Sequence, residues 1–375
     1  MQGLYIHIPF CIKKCYYCDF ISFSGAEEKM SEYVLALNKE LTNIAEEAEN
    51  RTVDSIFIGG GTPSYLYSSL IVSTLEKIRK LFDVSNDAEI TIEANPKTFT
   101  EEKLVDYRKA GIKRISVGLQ SANDESLKVL GRVHNFDDFV KSYSLARDVG
   151  FDNINIDLIY DIPSETKDMF FNTIDTVLKI EPEHISLYPL ILEEGTPFYE
   201  MNEKGLLEFP SEDDEEEMIK YARSKFEEAG YERYEISNYA KKGKRCRHNL
   251  NYWHNGYYLA AGLGAHACFK ASGKIIRRKN DNTLASYLTG CFSYKNKFII
   301  KEDSMFETVM LGLRLIEGID LKAFNDRYGI SFFDAYKKPI KKLTDQGLLK
   351  YDEHRAWLSE HGLDIQNTVL IEFLD

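Results

Sequence analysis

Three cysteines in eight residues carry the densest chemistry in this chain: Cys11, Cys15 and Cys18, in the order Cys-Ile-Lys-Lys-Cys-Tyr-Tyr-Cys. They follow directly on the apolar run from Leu4 to Phe10. The C-x3-C-x2-C spacing gathers three thiolates around one point and supplies no obvious fourth. A structural zinc site normally takes four protein ligands, and so does an iron–sulfur cubane. Three thiolates would leave one iron of a cubane open to an exchangeable ligand. Metal-free thiols, or zinc completed by His7 or Asp19, are the competing readings. Cysteine clusters in intracellular proteins usually mean metal or redox chemistry.

The surrounding elements must hold that loop over a site. Apolar and β-branched runs occur at 3–9, 54–59, 88–94, 113–118, 152–158 and 184–190. Amphipathic stretches lie between them, near 30–49, 68–82, 100–109, 136–149 and 168–180. This alternation predicts a parallel sheet with helical crossovers, either an open doubly wound sheet or a curled, incomplete barrel. Most of the unusual residues fall just after a strand, the face that carries chemistry in α/β barrels. The second run ends in Gly59, Gly60, Gly61 and Thr62. Glycines there let backbone approach a ligand and expose N–H donors, although a Gly triplet is also an ordinary turn. No Lys-Ser/Thr follows, so this is not a Walker loop. Glu93, Gln120 and Asp157 stand at further strand ends and offer acceptors for an amino group and ribose hydroxyls. Arg132 could pair with a carboxylate.

Composition narrows the classes. The chain has 375 residues, 43% hydrophobic and 13% aromatic, which suits a folded protein of two or three domains. Its net charge of −13 argues against a nonspecific nucleic-acid binder. No apolar run approaches the ~20 residues of a membrane span, and the first residues lack a signal-peptide pattern. A cytoplasmic location follows as an expectation, with the six cysteines serving as ligands rather than disulfides.

These motifs together resemble the radical S-adenosylmethionine (radical SAM) superfamily, which binds a [4Fe–4S] cluster through this cysteine spacing and SAM at the open iron. The resemblance implies a partial (β/α)6 barrel. It also implies that Gly60, Gly61 and Thr62 hold the methionine amino group, and that Glu93, Gln120, Arg132 and Asp157 contact SAM. Tyr5 and His7 match the Tyr-x-His-x-Pro-Phe-Cys opening of the coproporphyrinogen III oxidase-like (anaerobic) family, and are assigned to SAM with them. Within that family the dehydrogenases carry a further cysteine two residues after the third, where this chain has Phe20. They also carry an N-terminal arm that is missing before Gly3. Here His248, Asn249, Tyr252 and Trp253 instead form a His-Asn-x-x-Tyr-Trp pattern, similar to the HemW-type heme chaperone branch. That resemblance implies heme as bound cargo, acceptor proteins (membrane respiratory proteins among the candidates) and a peripheral visit to the membrane during delivery. It leaves reductive SAM cleavage and a homodimer open, and makes oxidative decarboxylation of coproporphyrinogen III the alternative in porphyrin metabolism.

Three domains are expected: 1–205 for the barrel, 206–300 for a small mixed α+β extension, and 301–375 for a helical, winged-helix-like unit. Ser211 should cap a helix reaching about Ala229, its acidic first turn matching the dipole. The extension places aromatics, three candidate iron ligands (His248, His254, His266), the softer Cys246 and Cys268, and Arg245, Arg247, Arg277 and Arg278 within one segment. A heme needs an apolar wall, an iron ligand and cations for its propionates, and this segment is the expected site. The rival expectation is that the aromatics pack the extension on the barrel and His248 caps a turn. Residues 301–375 carry 10 Lys and Arg against 14 Asp and Glu, a poor footprint for DNA.

Overall fold

The computed structural model describes residues 1–280 and 283–374. Strands and helices alternate as β1 (Gln2–Ile8), α1 (Met30–Glu47), β2 (Thr52–Gly60), α2 (Ser68–Leu81), β3 (Asp83–Ala94), α3 (Glu101–Lys109) and β4 (Arg114–Gln120). They continue through α4 (Asp124–Val129), α5 (Phe136–Asp148), β5 (Ile154–Tyr160), α6 (Lys167–Ile180) and β6 (His184–Pro189). All six strands are parallel and lie side by side in chain order. Every residue of β4 is buried, as a parallel strand covered on both faces requires. The helices start where side-chain acceptors meet their free N–H groups. Thr100 caps α3, Thr166 caps α6, and Asn135 with Asp138 forms a capping box on α5.

The strand order β1 to β6 never closes. The outer edge of β6 pairs with an antiparallel strand, and β1 pairs in parallel with a strand from much later in the chain. The expected extension supplies both. After α7 (Pro197–Glu203) and α8 (Glu212–Glu228), capped by Ser211 as expected, β7 (Glu232–Arg233) and β8 (Asn238–Ala240) extend the sheet beyond β6. A short helix, α9 (Arg247–Trp253), leads to β9 (Tyr257–Ala261), β10 (His266–Ala271), β11 (Lys274–Asn280) and, after α10 (Leu284–Leu288), β12 (Tyr294–Ile299). These four lie beyond β1, completing a 12-stranded sheet. One apolar core runs through the barrel and includes Met218 and Phe226 of α8, Leu263 and Tyr287.

From α11 (Lys301–Gly312) onward the chain builds a second core, from Val309 to Phe373. Short helices pack there on a three-stranded sheet of residues 319–320, 349–351 and 355–358. Among the described residues no helix is long and apolar enough to cross a membrane.

Candidate functional site

The loop after β1 is pinned on two sides. Cys11 N donates to Phe23 O at 2.9 Å, and Phe23 N to Pro9 O at 2.8 Å. Farther along, Tyr16 N donates to Leu130 O at 3.2 Å. Phe10, 1% exposed, packs edge-on against Tyr33 beneath the loop. Cys11, Cys15 and Cys18 stay half-buried and line the mouth of a cavity of about 570 Å³. Among the described residues no three His, Cys, Asp or Glu side chains converge as ligands of a single metal ion. A cubane spreads its thiolates over separate irons, so that single-ion pattern is not the one it asks for.

Two neighbours engage the sulfurs. Thr62 Oγ1 lies 3.5 Å from Cys11 Sγ, and Arg132 donates through Nη1 to Cys15 Sγ at 3.4 Å. Burial pushes the Cys11 thiol up, and that of Cys18 up to about 11. Without a bound cation these two sulfurs are thiols at neutral pH.

The glycine turn after β2 lies directly against the loop. Gly61 N donates to Ile8 O at 2.9 Å and Thr62 N to Phe10 O at 2.8 Å. A Cβ on Gly61 would stand 2.9 Å from Phe10 O and 3.0 Å from Cys11 Sγ. Gly60 has φ +117°, and a Cβ there would meet the His7 ring at 2.6 Å. Its N–H points to Glu93, whose Oε2 accepts at 3.0 Å.

The cavity floor carries two carboxylates. Burial, then the charge of Asp157, raises Glu93 to about 8 against the pull of the Gly60 N–H. Burial raises Asp157 as well. Ser116 Oγ and Asn155 Nδ2 donate to its two oxygens at 3.0 and 2.8 Å. Gln120 enters the cavity from a bulge at the end of β4, with φ +74°. Arg132 crosses the wall, donating from Nη2 to Asn95 Oδ1 at 2.6 Å and Gly118 O at 2.7 Å. Its Nε is buried and has no partner. Asn95 also donates to Thr62 Oγ1 at 2.8 Å, so one amide joins the glycine turn to Arg132. Asn95 and Ser116 were not singled out from the sequence. Asn95 stands two residues after Glu93 at the end of β3, which was a usable signal, whereas Ser116 inside β4 gave none.

Gly60, Gly61, Thr62, Glu93, Gln120, Arg132 and Asp157 therefore share one cavity with the three cysteines. Tyr5 and His7 do not line it. His7 is 7% exposed, its Nε2 bonded to Ile21 O and its Nδ1 to Tyr5 OH. They share the inner face of β1 and lie beneath the cavity, His7 against Gly60 and Tyr5 stacked on Phe57.

In the second half the residues expected to meet heme lie in a packed segment. His248 is 1% exposed, and both of its ring nitrogens are engaged, with Ser55 Oγ at 2.9 Å and Tyr252 OH at 2.8 Å. Its ring stacks on Phe57, and burial lowers its pKa to about 3. No ring nitrogen faces outward to meet an iron. Glu89 accepts from the backbone N–H groups of Arg247 and His248, fixing α9 against β3. Asn249 and Trp253 are half-buried, and Arg314 lies over the Trp253 ring. His254 and His266 are exposed, while Cys246 and Cys268 are buried. The four arginines face carboxylates: Arg245 with Glu232, Arg247 with Asp87, Arg277 with Glu307 and Arg278 with Glu47. The segment packs against the floor of the barrel.

An open six-stranded parallel barrel with a three-cysteine loop at the C-terminal ends of its strands defines a radical SAM protein. The family model described as Radical SAM superfamily matches residues 5–177, and that of the HemN C-terminal domain matches residues 299–365. The chain is 35% identical over 376 residues to the heme chaperone HemW of Bacillus subtilis (strain 168), covering 100% of this chain and 99% of that protein. It is 34% identical over 374 residues to the protein of the same name from Escherichia coli (strain K12), covering 99% and 98%. The chain belongs to the HemW family. Coproporphyrinogen III oxidase (HemN) from Escherichia coli, described as a radical SAM enzyme, has a similar fold: the TM-score is 0.85 at 23% identity, over 99% of this chain and 89% of that one.

Proposed function

We propose that this protein binds heme and passes it to acceptor proteins, working in the cytoplasm with a [4Fe–4S] cluster and SAM. The observation that carries this reading is its likeness, along the full length of both chains, to proteins named heme chaperone HemW.

The residues present fit the two cofactors. Cys11, Cys15 and Cys18 would hold the cluster, and their mouth position leaves one side toward the cavity. The unpartnered Arg132 Nε suits an anionic group, and the buried, raised Glu93 carboxyl suits an ammonium, whose charge would favour its ionised form. Together, when bound, the cluster and SAM supply one-electron chemistry that no side chain can provide. The chain's own part is positional. The glycine turn braces the cysteine loop and, through Gly60 N, the Glu93 carboxyl; Ser116 and Asn155 fix Asp157, and Asn95 fixes Arg132.

The test pairs two measurements on anaerobically reconstituted protein. A heme titration should give saturable binding with a shifted Soret band and release to an apo-heme protein. Incubation with coproporphyrinogen III, reductant and SAM should give no decarboxylated product. Turnover of that substrate at a useful rate would replace the proposal with the dehydrogenase reading.

A further inference from the structure

One side chain links two of the cysteines through their neighbours. Asn95, half-buried just past the end of β3, spans the gap between Thr62 and Arg132 with the two ends of its amide. Thr62 Oγ1 lies 3.5 Å from Cys11 Sγ, and Arg132 Nη1 donates to Cys15 Sγ at 3.4 Å. The chain of contacts therefore runs Cys11, Thr62, Asn95, Arg132, Cys15, a bracket that reaches both sulfurs from outside the loop.

The chemistry of each member fixes the direction of its hydrogen bonds. A guanidinium only donates, so the Asn95 oxygen faces Arg132 Nη2, at 2.6 Å. Its Nδ2 is left to face Thr62 and donates to Oγ1 at 2.8 Å. A hydroxyl has one proton to give. With Oγ1 accepting from Asn95, that proton is free for the sulfur of Cys11. A thiolate bound to iron only accepts, so in the loaded protein the contact runs from the Thr62 oxygen to the sulfur. Backbone holds the members in place. Thr62 N donates to Phe10 O at 2.8 Å, Gly118 O accepts from Arg132 Nη2 at 2.7 Å, and Asn95 O accepts from Thr98 Oγ1 at 2.7 Å. Gly118 also leaves the space: a Cβ there would stand 2.6 Å from Asn95 Oδ1 and 3.2 Å from Arg132 Nη2. Its φ lies outside the left-handed region, so the missing side chain serves room and not a turn.

We propose that Asn95 is a positioning residue for the [4Fe–4S] cluster. Its amide aims the Thr62 hydroxyl at Cys11 Sγ and the Arg132 guanidinium at Cys15 Sγ, and these hydrogen bonds raise the reduction potential of the cluster. Hydrogen bonds to the sulfurs are among the levers that set such potentials, because they stabilise the charge that an added electron brings. Asn95→Asp keeps the shape and breaks the arrangement. With oxygen at both ends, the side chain would still accept from Arg132, but it would also accept the Thr62 proton and turn it off the sulfur. The inference rests on the cluster reading above and is independent of the cargo.

The test is the midpoint potential of the reconstituted full chain without SAM, read by EPR at poised potentials, with iron per chain as the check on loading. It compares wild type, Thr62→Val, Thr62→Ser, Asn95→Asp and the double variant Asn95→Asp/Thr62→Val. Thr62→Val should make reduction about tenfold less favourable, the effect of one charge-assisted hydrogen bond, or about 59 mV for one electron. Thr62→Ser should restore the wild-type value. Asn95→Asp should also lower the potential, and Thr62→Val added to it should change little further. An undiminished second step would mean that the introduced charge acts alone, and would overturn the proposal. A wild-type potential in loaded Thr62→Val would overturn it too. Wild type supplies a reading that needs no variant. After exchange into heavy water, pulsed EPR of the reduced cluster should detect deuterons coupled to it, and their absence would sink the proposal even where a variant fails to load. Wild type that takes up no iron would instead remove the cluster reading itself.

Discussion

Gly61→Ala tests whether the cysteine loop takes its position from the glycine turn. The added methyl would stand 2.9 Å from Phe10 O, 3.0 Å from Phe10 N and 3.0 Å from Cys11 Sγ, against ordinary contacts that begin at 3.4 Å. Two of the three obstacles are backbone atoms, and Phe10 O already accepts from Thr62 N at 2.8 Å. The end of β1 and the turn after β2 must therefore separate by about 0.5 Å, at a cost of roughly 1–3 kcal/mol for overpacking. With an unfolding entropy near 2.1 cal/mol/K per residue, that lowers Tm by about 1–4 °C. The larger effect falls on Cys11, which is carried away from the positions of Cys15 and Cys18. Iron per chain after anaerobic reconstitution should drop from about four, the content of one cubane, to a small fraction of it. The apoprotein should keep its circular dichroism. Wild-type iron content in Gly61→Ala would refute the claim that this contact sets the loop, whatever happened to Tm.

Three further outcomes follow from buried polar groups. Glu40, with 0% exposure, accepts from Gly262 N at 2.7 Å, Tyr287 OH at 2.6 Å and Asn280 Nδ2 at 2.6 Å, and burial raises it to about 7. A carboxyl raised from its unfolded value stabilises the fold most below about pH 4.3 and loses that contribution as pH climbs through about 7. Denaturant unfolding should show stability declining by about 3–4 kcal/mol over that window, with a shallower decline in Glu40→Gln; identical slopes would exclude Glu40 as the source. Glu93→Gln keeps the acceptor for Gly60 N but cannot become an anion, so calorimetric titration of SAM should show about tenfold weaker binding. Equal affinity would take Glu93 out of the site. His248→Ala removes a buried ring and leaves the Ser55 and Tyr252 hydroxyls short of a partner, which should cost about 2–4 kcal/mol. In protein that remains folded, an altered heme spectrum would assign His248 to the heme site, and an unchanged spectrum would leave it a packing residue.

The barrel was readable because parallel strands covered by helices leave long apolar runs, and the polar or glycine residues that interrupt them mark the strand ends. Gly59 to Thr62, Glu93, Gln120 and Asp157 all announced themselves this way, and they lie at one mouth. Asn95 escaped a role because its work is relational: it joins Thr62 to Arg132, residues far away in sequence. The sheet extension was harder for a different reason. β7 and β8 are two and three residues long, too short to show a period, and β9 joins β1 in parallel across more than 250 positions.

The His-Asn-x-x-Tyr-Trp helix could not be assigned from sequence alone, because a binding motif and a structural plug draw on the same residue types. An open barrel exposes the polar N-terminal ends of its strands, and here those ends hold Ser55, Glu89, Arg114, Asn155 and His184, all 9% exposed or less. Each buried polar group needs a partner. The helix after Cys246 supplies several: two N–H groups for Glu89 and an imidazole for Ser55. The network continues upward through Tyr234, whose OH accepts from Cys246 N at 3.4 Å and bonds His184 Nε2 at 2.8 Å; His184 bonds Asn155 Oδ1 at 2.6 Å, and the Asn155 amide holds Asp157 at 2.8 Å. The residues of the motif thus belong to the floor whose upper surface is the cavity. Substitutions there should reach the cofactors by loosening Asp157.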